Sequence, residues 1–332
     1  MESKGDVLIT GASGFIGNFL VDEALLRGYN VYVSVRQSTN INRLKKKQVN
    51  IVEIDFTNIT ETNQKILSLP QFEYVIHNAG VTKSLNKKDF FEVNDGYTQR
   101  LIFALIQQRK VPKKFFYMSS LAAFGPGEMN SSIDLLSKPN PVTQYGKSKL
   151  AADRFITEKS GIPYIIFRPT AVYGPGDKDF FQTIKLIYKG ADFQVGTKPQ
   201  TLTFIYVKDL SRLVFDAVES SYSNKAYFVT DGNLYNSLDL GKCVSRRLNK
   251  KMLHIAVPIW LAKIIAATTE GFSKFTKKPS VLNREKISEL SAKNWNCNIQ
   301  PLVSDFNFKA EYDLEKGINE TVDWYKKEGW LK

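Results

Sequence analysis

The segment Thr10-Gly11-Ala12-Ser13-Gly14-Phe15-Ile16-Gly17 decides the fold class of this 332-residue chain. It follows the apolar run Val7-Leu8-Ile9, which predicts a β-strand, and it opens a helical pattern over residues 14–27. The first glycine permits a tight turn, the second lets the backbone approach a pyrophosphate, and the third lets the helix pack close to the sheet. The segment therefore predicts a dinucleotide-binding turn whose cofactor contacts are Gly11, Ser13, Gly14, Phe15, Ile16 and Gly17.

Short apolar runs alternate with helical stretches through the first half of the chain. Further strand-like runs occur at 31–35, 51–54, 74–77, 114–118 and 164–167. Strands separated by helix-length segments are typical of parallel βαβ units. We therefore expect an α/β fold, a Rossmann doubly wound parallel sheet with a smaller C-terminal substrate lobe.

The regular alternation ends after residue 174, which predicts a boundary between two domains. Residues 1–174 are assigned to an NAD(P)-binding Rossmann domain. Residues 175–332 are assigned mostly to the substrate-binding lobe, with segments near 201–215 returning to the Rossmann body.

Composition bears on location and partners. Cys243 and Cys297 are too few for a disulfide framework and lack the spacing of a metal site, so we expect a cytoplasmic protein without a metal. We expect no signal peptide and no membrane span, because Lys263 interrupts the longest apolar run. The net charge of +13 indicates an anionic partner or a lysine-rich solvated surface, but no nucleic-acid motif accompanies it. His77 and His254 are expected to be packed or surface residues rather than catalytic bases.

A second motif, Tyr145-Gly146-Lys147-Ser148-Lys149, carries candidate catalytic groups. Residues four apart share one face of a helix, so the ammonium of Lys149 would lie beside the phenol of Tyr145 and lower its pKa. Tyr145 could then donate a proton to a carbonyl oxygen or remove one from an alcohol. Ser120 follows an apolar strand, where its hydroxyl can hydrogen-bond the substrate oxygen, and Ser119 is the competing candidate.

These motifs resemble, in the same order, those of the extended short-chain dehydrogenase/reductases, the NAD-dependent epimerase/dehydratase family. The turn has that family's G-x-x-G-x-x-G spacing, and the spacing from Ser120 to Tyr145 matches its sugar-nucleotide epimerases. Four further segments resemble its fourth-strand signature, its Asn motif, its nicotinamide-lining stretch and a late motif: 75–80, 91–94, 167–175 and 204–209. The resemblance implies cofactor contacts by Asn78, Ala79, Gly80, Tyr145, Lys149, Pro169 and Val172.

The end of the second predicted strand bears on the choice between NAD and NADP. An NAD site usually has Asp or Glu there to bind the ribose 2′-hydroxyl, whereas this chain has Arg36, which could pair with a 2′-phosphate. The spacing of Arg36 and Arg43 resembles the dihydroflavonol-reductase-like branch, in which two basic residues hold NADP. Asp55 and Phe56 resemble the family's adenine-contacting segment. We therefore predict NADP as the cofactor, with NAD as the alternative.

The segment 256–278 predicts an amphipathic helix near the end of the substrate lobe. One face carries Leu261, Ile264, Ile265, Thr268 and Phe272, and charge is supplied by Lys263, Lys274, Lys277 and Lys278. Such a helix packs in a core, lines an apolar pocket or lies on an anionic bilayer, and the sequence leaves all three open. The region resembles the substrate lobe of 3β-hydroxysteroid-dehydrogenase-like and bacterial ceramide-reductase-like proteins.

We therefore predict an NADP(H)-dependent oxidoreductase that interconverts a ketone and a secondary alcohol on a hydrophobic substrate, through Ser120, Tyr145 and Lys149. The substrate would be lipid-, sphingoid- or steroid-like. One alternative is a sugar-nucleotide epimerase or dehydratase with tightly held NAD, and a second is a non-catalytic cofactor sensor, which usually lacks the Tyr or the Lys. Peripheral contact with an anionic membrane, at its inner face, is the predicted partner interaction. Monomer and homodimer both remain open.

Overall fold

A seven-stranded sheet is the largest sheet in the computed structural model, which describes residues 3–276 and 283–331. The strands of the described chain are β1 (Asp6–Thr10), β2 (Asn30–Val35), β3 (Asn50–Glu53), β4 (Tyr74–His77), β5 (Lys114–Met118), β6 (Tyr164–Pro169), β7 (Ala171–Tyr173), β8 (Ala191–Val195), β9 (Thr201–Leu202), β10 (Phe204–Tyr206), β11 (Lys225–Val229), β12 (Tyr235–Asn236) and β13 (Leu253–Val257). The α-helices are α1 (Phe15–Leu26), α2 (Ile59–Ser68), α3 (Lys87–Phe91), α4 (Tyr97–Gln107), α5 (Gln144–Glu158), α6 (Lys178–Tyr188), α7 (Val207–Glu219), α8 (Asp239–Leu248), α9 (Ile259–Thr276), α10 (Arg284–Leu290), α11 (Gln300–Phe306) and α12 (Leu314–Lys327).

The large sheet has the strand order β11-β6-β5-β4-β1-β2-β3. Within it, β1 pairs in parallel with β2 and β4, and β5 pairs in parallel with β4 and β6. Reversal of the strand order on either side of β1 is the mark of a doubly wound sheet, which binds ligands beyond the carboxyl ends of its strands. The predicted α/β Rossmann fold is therefore confirmed, and each predicted strand occurs with bounds shifted by at most two residues.

Local sequence explains these elements. All five residues of β5, Lys-Phe-Phe-Tyr-Met, are buried, as expected for a central parallel strand covered by helices on both faces. Asn58 begins α2, where its side chain accepts hydrogen bonds from the backbone amides of Thr60 and Glu61. Gly28 follows α1 with a φ of +85°, a left-handed conformation that ends the helix without the strain that a side chain would add.

The chain divides into two compact units. The first comprises Met1–Ala123, Tyr145–Arg168 and Leu210–Tyr227, and the second comprises Phe124–Gln144, Pro169–Asp209 and Phe228–Lys332. The first unit has a core in which Leu8, Val75 and Phe115 of the sheet pack with Leu101 of α4. The assignment of 1–174 to cofactor binding and of 175–332 mostly to substrate binding stays a prediction.

The second unit has its own core. Ile184 of α6, Val244 of α8 and Val322 of α12 belong to one buried cluster with Tyr173 and Phe204. In the same unit β8 and β13 form a parallel two-stranded sheet. Among the described helices, none is long and apolar enough to cross a membrane.

The predicted amphipathic helix is α9, and its bulky face does not pack in a core. Leu261, Ile264, Ile265 and Thr268 are all exposed, so the core-packing alternative is wrong for these residues. Phe272, Lys274, Lys277 and Lys278 lie outside the residues whose side chains the structure describes.

Candidate active site

The Gly-rich turn joins β1 to α1 and brings its glycines against the neighbouring strand. Gly11 has a φ of +68°, and a Cβ there would lie 2.8 Å from the backbone of Ala79, which follows β4. A Cβ at Gly17 would overlap the carbonyl oxygen of Gly11. Both positions therefore require glycine, for the close approach of backbone to backbone that the sequence predicts.

The N-terminus of α1 offers an anion site. Gly14 precedes the helix, its own amide donates to the carbonyl of Gly11 at 3.0 Å, and no side chain caps it. The first amides of a helix have no partner within the helix, and the helix dipole favours negative charge at that end. Phe15, Ile16 and Gly17 form this first turn, so the turn fits a pyrophosphate of the predicted cofactor class.

The carboxyl end of β2 presents Arg36 as an exposed side chain, with no acidic residue at the next position. Arg43, also exposed, begins the short 3₁₀ turn Leu44–Lys46. Asp55 lies exposed after β3, and a hydrogen bond from the Thr57 amide at 2.8 Å lowers the pKa of its carboxyl group, assisted by the charges of Arg100 and Arg36. Arg36 and Asp55 are therefore close enough to interact electrostatically, as expected if both line one nucleotide site.

Phe56 is buried behind Asp55 and packs on the ring of Tyr97, with 6.0 Å between ring centroids. Its carbonyl oxygen accepts a hydrogen bond from Arg100 of α4. These contacts fix the backbone that carries Asp55. Of the two residues predicted to contact adenine, Asp55 therefore presents an exposed carboxylate, whereas the ring of Phe56 is buried.

Lys149 lies on α5 and is almost fully buried, at 3% exposure. Its Nζ donates to the carbonyl oxygen of Met118 at 2.7 Å, at the carboxyl end of β5, and lies 4.7 Å from the centroid of the Tyr117 ring. Burial lowers the pKa of this ammonium to about 8, while the carboxylate of Asp153 acts in the opposite direction. A lysine with a pKa near neutrality can respond to charge on a neighbouring group, as a catalytic site needs.

Tyr145 is half-buried and lies one helical turn before Lys149 on the same helix. Of the two serines after β5, Ser119 is 3% exposed, and its Oγ has no partner among the described residues. Ser120 is half-buried, and its Oγ accepts a hydrogen bond from the Ala122 amide at 3.1 Å. That bond orients the Ser120 hydroxyl and leaves its proton for an acceptor, and the choice of Ser120 over Ser119 stays a prediction.

Asn94 connects α5, which carries Tyr145 and Lys149, to the segment after β4. It lies in a π-helical turn, Glu92–Gly96, where α3 continues into α4, and such turns often occur at functional sites. Its amide oxygen accepts from the Val81 amide at 2.8 Å, and its Nδ2 donates to the Val81 carbonyl at 3.0 Å and to Ser148 Oγ at 2.9 Å. Ser148 Oγ in turn donates to the carbonyl oxygen of Tyr145 at 2.8 Å. The side chain of Asn94 therefore holds α5 in position beside Gly80.

A buried polar chain runs under the Gly-rich turn from Thr10 to Asn94. Thr10 Oγ1 lies 2.8 Å from His77 Nδ1, and His77 Nε2 lies 3.0 Å from Thr98 Oγ1. The Thr98 hydroxyl donates to the carbonyl oxygen of Asn94 at 2.8 Å, so its single proton is committed and His77 must donate from Nε2. Burial lowers the pKa of His77 to about 3, which agrees with a neutral ring. His77 is a packed residue of the scaffold, as expected.

One buried ion pair lies next to Lys149 on α5. Asp153 Oδ2 accepts from Arg168 Nε of β6 at 2.7 Å, and both side chains are nearly inaccessible to solvent. Asp153 follows Lys149 by four residues and therefore shares its helix face with Tyr145. Sequence reasoning did not assign this carboxylate, although Tyr, Lys and Asp at successive turns were a readable signal.

The remaining predicted contacts fall into two places. Asn78, Ala79 and Gly80 follow β4 beside the turn, and the Ala79 amide donates to Thr10 Oγ1 at 3.0 Å. Pro169 ends β6, and Val172 lies in β7, where it is paired in register with Ile205 of β10. The structure thus brings the turn, the segment after β4 and the Tyr-Lys helix together in one unit, while Pro169 and Val172 belong to the other.

The structure combines a Rossmann sheet, a glycine turn that fits a pyrophosphate and a buried lysine beside a tyrosine. These features define a class of nucleotide-dependent redox protein. The chain belongs to the NAD dependent epimerase/dehydratase family, whose model matches residues 7–229. It is an NAD(P)-dependent oxidoreductase of the extended short-chain dehydrogenase/reductase kind. The family resemblance and the prediction of an enzyme are confirmed.

The similar proteins include both a reductase and epimerases, the two kinds of enzyme weighed against each other from the sequence. The chain is 25% identical to a ceramide reductase of Caulobacter vibrioides, with 99% of this chain and 97% of the relative covered. It is 26% identical to a UDP-glucose 4-epimerase of Vibrio cholerae, covering 95% and 94%. Among solved structures, a UDP-glucose 4-epimerase of Thermotoga maritima with UDP-glucose superposes with a TM-score of 0.79 at 19% identity, over 97% of this chain and 99% of that one. The structural likeness shows a shared fold.

Proposed function

We propose that this protein is an NADP(H)-dependent oxidoreductase that interconverts a ketone and a secondary alcohol on a hydrophobic substrate. The observation that carries the proposal is Arg36, an exposed guanidinium at the end of β2, where an NAD site usually has an acid. Arginine pairs with phosphate through two parallel hydrogen bonds, so it favours the 2′-phosphate of NADP. An enzyme that takes up and releases NADP fits net oxidation or reduction better than epimerisation, in which NAD stays bound.

The cofactor would be held along the carboxyl edge of the sheet. The Gly-rich turn and the first turn of α1 would bind the pyrophosphate, and Arg36 and Arg43 would bind the 2′-phosphate. Asp55 and Phe56 would contact adenine, and the nicotinamide end would meet the segment after β4 and Lys149. The contacts expected from Pro169 and Val172 stay predictions. The cofactor supplies or accepts the hydride.

The protein's own residues would move the proton. In reduction, Tyr145 donates its phenolic proton to the substrate oxygen while the carbonyl carbon receives the hydride, and in oxidation both transfers reverse. The ammonium of Lys149 stabilises the phenolate that is left, and its carbonyl partner Met118 holds it at the end of β5. Ser120, oriented by the Ala122 amide, donates to the substrate oxygen and stabilises developing negative charge.

A lipid-, sphingoid- or steroid-like substrate is the class we favour. The similarity to ceramide reductase supports it, and each buried methylene of such a molecule contributes about 0.8 kcal/mol to binding. A cytoplasmic enzyme at the surface of an anionic membrane would meet this substrate there, and the net charge of +13 favours that surface. The second candidate function is sugar-nucleotide epimerisation, which the similarity to UDP-glucose 4-epimerase favours.

A substrate panel distinguishes the two functions. We expect oxidation of NADPH with long-chain keto-lipids or ketosteroids, followed by absorbance, and no conversion of UDP- or GDP-sugars, followed by chromatography of the sugar products. Turnover of a nucleotide sugar together with inactivity on every apolar ketone would reject the proposal.

A further inference from the structure

The packing of α9 is inverted relative to an ordinary surface helix. Among its described side chains, those of residues 259–271, the buried ones are the small residues Ala262 and Ala266, at 3% and 0% exposure. The bulky apolar residues between 260 and 265 point outwards: Trp260 is 65% exposed, Leu261 37%, Ile264 53% and Ile265 41%. An amphipathic helix of a globular protein normally buries its large apolar residues and exposes polar ones. We call these four exposed residues the α9 face.

Helical geometry makes the α9 face one continuous surface. At about 100° per residue, Ile264 lies opposite the midpoint between Ala262 and Ala266, and Trp260 lies one turn before it on the same side. The alanines pack against Val195 and Val257, at the ends of β8 and β13, and against Ile287 of α10. Over its described side chains the helix is therefore anchored through small residues, and the large residues of the α9 face are exposed to solvent.

One more exposed apolar side chain lies on the neighbouring strand β8. Phe193 and Val195 project from the same side of β8, because alternate residues of a strand share a face. Val195 packs against the α9 anchor, whereas Phe193 is 49% exposed. Scattered exposed apolar side chains are normal, but a cluster around a tryptophan indicates a surface that binds something.

We propose that the α9 face docks on an anionic phospholipid bilayer, with the helix lying in the plane of the interface. Tryptophan is enriched at the level of the lipid headgroups, and bulky aliphatic side chains bury themselves among the acyl chains. Lys263 is exposed beside Ile264, and the chain as a whole carries 46 basic against 33 acidic residues. This charge complements an anionic surface, and it opposes pairing with a second, equally basic copy.

The inference deepens the proposed function by naming a partner, but it depends on a different observation. A docked α9 would keep the enzyme where an apolar substrate is dissolved. Vesicle binding requires neither cofactor nor turnover. Failure of docking is therefore distinguishable from failure of the proposed reaction.

Co-sedimentation with vesicles tests the proposal. The intact protein should bind vesicles of equal parts phosphatidylcholine and phosphatidylglycerol, and bind phosphatidylcholine alone much more weakly. The double variant Trp260→Ser, Ile264→Ser should lose at least about tenfold in affinity for the mixed vesicles. Lys263→Glu should weaken binding to the mixed vesicles by roughly fivefold or more, and high salt should weaken it too.

A matched control removes equal apolar surface elsewhere. Leu67 and Leu136 are 61% and 95% exposed, and Leu67→Ser with Leu136→Ser should bind vesicles as the wild type does. Absence of wild-type binding, or equal binding by the α9 variant, would overturn the proposal. A wild-type homodimer that the α9 variant converts to monomer would instead assign the face to a second copy. If the double variant binds vesicles as the wild type does but has a raised KM for an apolar ketone, the α9 face belongs to the substrate pocket instead.

Discussion

The Nζ atom of Lys149 donates a hydrogen bond to the carbonyl oxygen of Met118 at 2.7 Å, and this contact joins α5 to the carboxyl end of β5. The serines that follow Met118 are thereby held next to the ammonium group. Burial lowers the pKa of Lys149 to about 8, so its charge is available near neutral pH and is lost in mildly alkaline solution. The electrostatics of the site should therefore depend on the few charges around this lysine.

Asp153→Asn should move the alkaline limb of ketone reduction to lower pH. The Asp153 carboxylate raises the pKa of Lys149 against the effect of burial, so its removal lowers that pKa further. The ammonium is then lost at lower pH, and support for the phenolate is lost with it. The measurement is the pH dependence of kcat/KM for a ketone, and an alkaline limb identical to that of the wild type would refute this role.

The same variant should also be less stable, by about 3 kcal/mol or more, because it leaves the buried Arg168 guanidinium without its carboxylate. Urea unfolding measures that loss. Asp153→Glu keeps the negative charge and should restore most of the pH profile. If Asp153 has only a structural role, Asp153→Asn should reduce stability without moving the pH profile of kcat/KM.

Arg36→Glu should change the preference between cofactors. The wild type should bind NADPH more tightly than NADH by about 1–3 kcal/mol, or roughly 5- to 150-fold, if Arg36 pairs with the 2′-phosphate. The variant should narrow or invert this ratio, as measured by calorimetry or fluorescence titration. Lys225→Glu makes the same charge change in β11, which is an edge strand separated from β2 by four other strands, and it should leave the ratio of affinities unchanged. Equal wild-type affinities for NADPH and NADH would rule out the NADP assignment.

His77 should make the protein sensitive to acid. Burial lowers the pKa of its ring from 6.5 to about 3, so between these values the unfolded chain binds a proton that the folded chain does not. The free energy of unfolding should therefore fall as the pH is lowered through that window, by up to about 1.4 kcal/mol per pH unit from this group. In His77→Gln an amide can still accept from Thr10 and donate to Thr98 but does not titrate. Denaturant unfolding at several pH values across this window should give a free energy of unfolding that depends less steeply on pH in the variant. The same pH dependence in the variant and the wild type would contradict the lowered pKa assigned to His77.

Most of the fold could be predicted from sequence because its signals are local. The runs that became β4 and β5 have the predicted bounds, since each is a short apolar strand between clear helical patterns. The Gly-rich turn could be predicted equally well, because Gly11 and Gly17 lie too close to neighbouring backbone atoms for any other residue to fit. The sequence did not predict which face of α9 is buried. Its periodic apolar face is the same whether it is buried or exposed, and only packing reveals that Ala262 and Ala266 are the anchors.

The candidate site was predicted in part. The Tyr-Lys pair and the serines follow from spacing along one helix and from position after one strand. The clamp by Asn94, the chain through His77 and the pairing of Asp153 with Arg168 were missed, because each joins residues on different elements of the chain. Only the helical spacing of Asp153 from Lys149 was a signal in the sequence. Tertiary contact decides their partners, and a single sequence does not contain it.

The most direct test of the account is turnover by Tyr145→Phe, in which the lost hydroxyl is the proposed proton donor. We predict a fall in kcat of at least about 100-fold with any ketone that the wild type reduces, and nearly unchanged affinity for NADPH. Tyr164→Phe removes the same atom at the start of β6, at the opposite end of the strand from the site, and should be as active as the wild type. Wild-type turnover by Tyr145→Phe would contradict the central claim that Tyr145 transfers the proton.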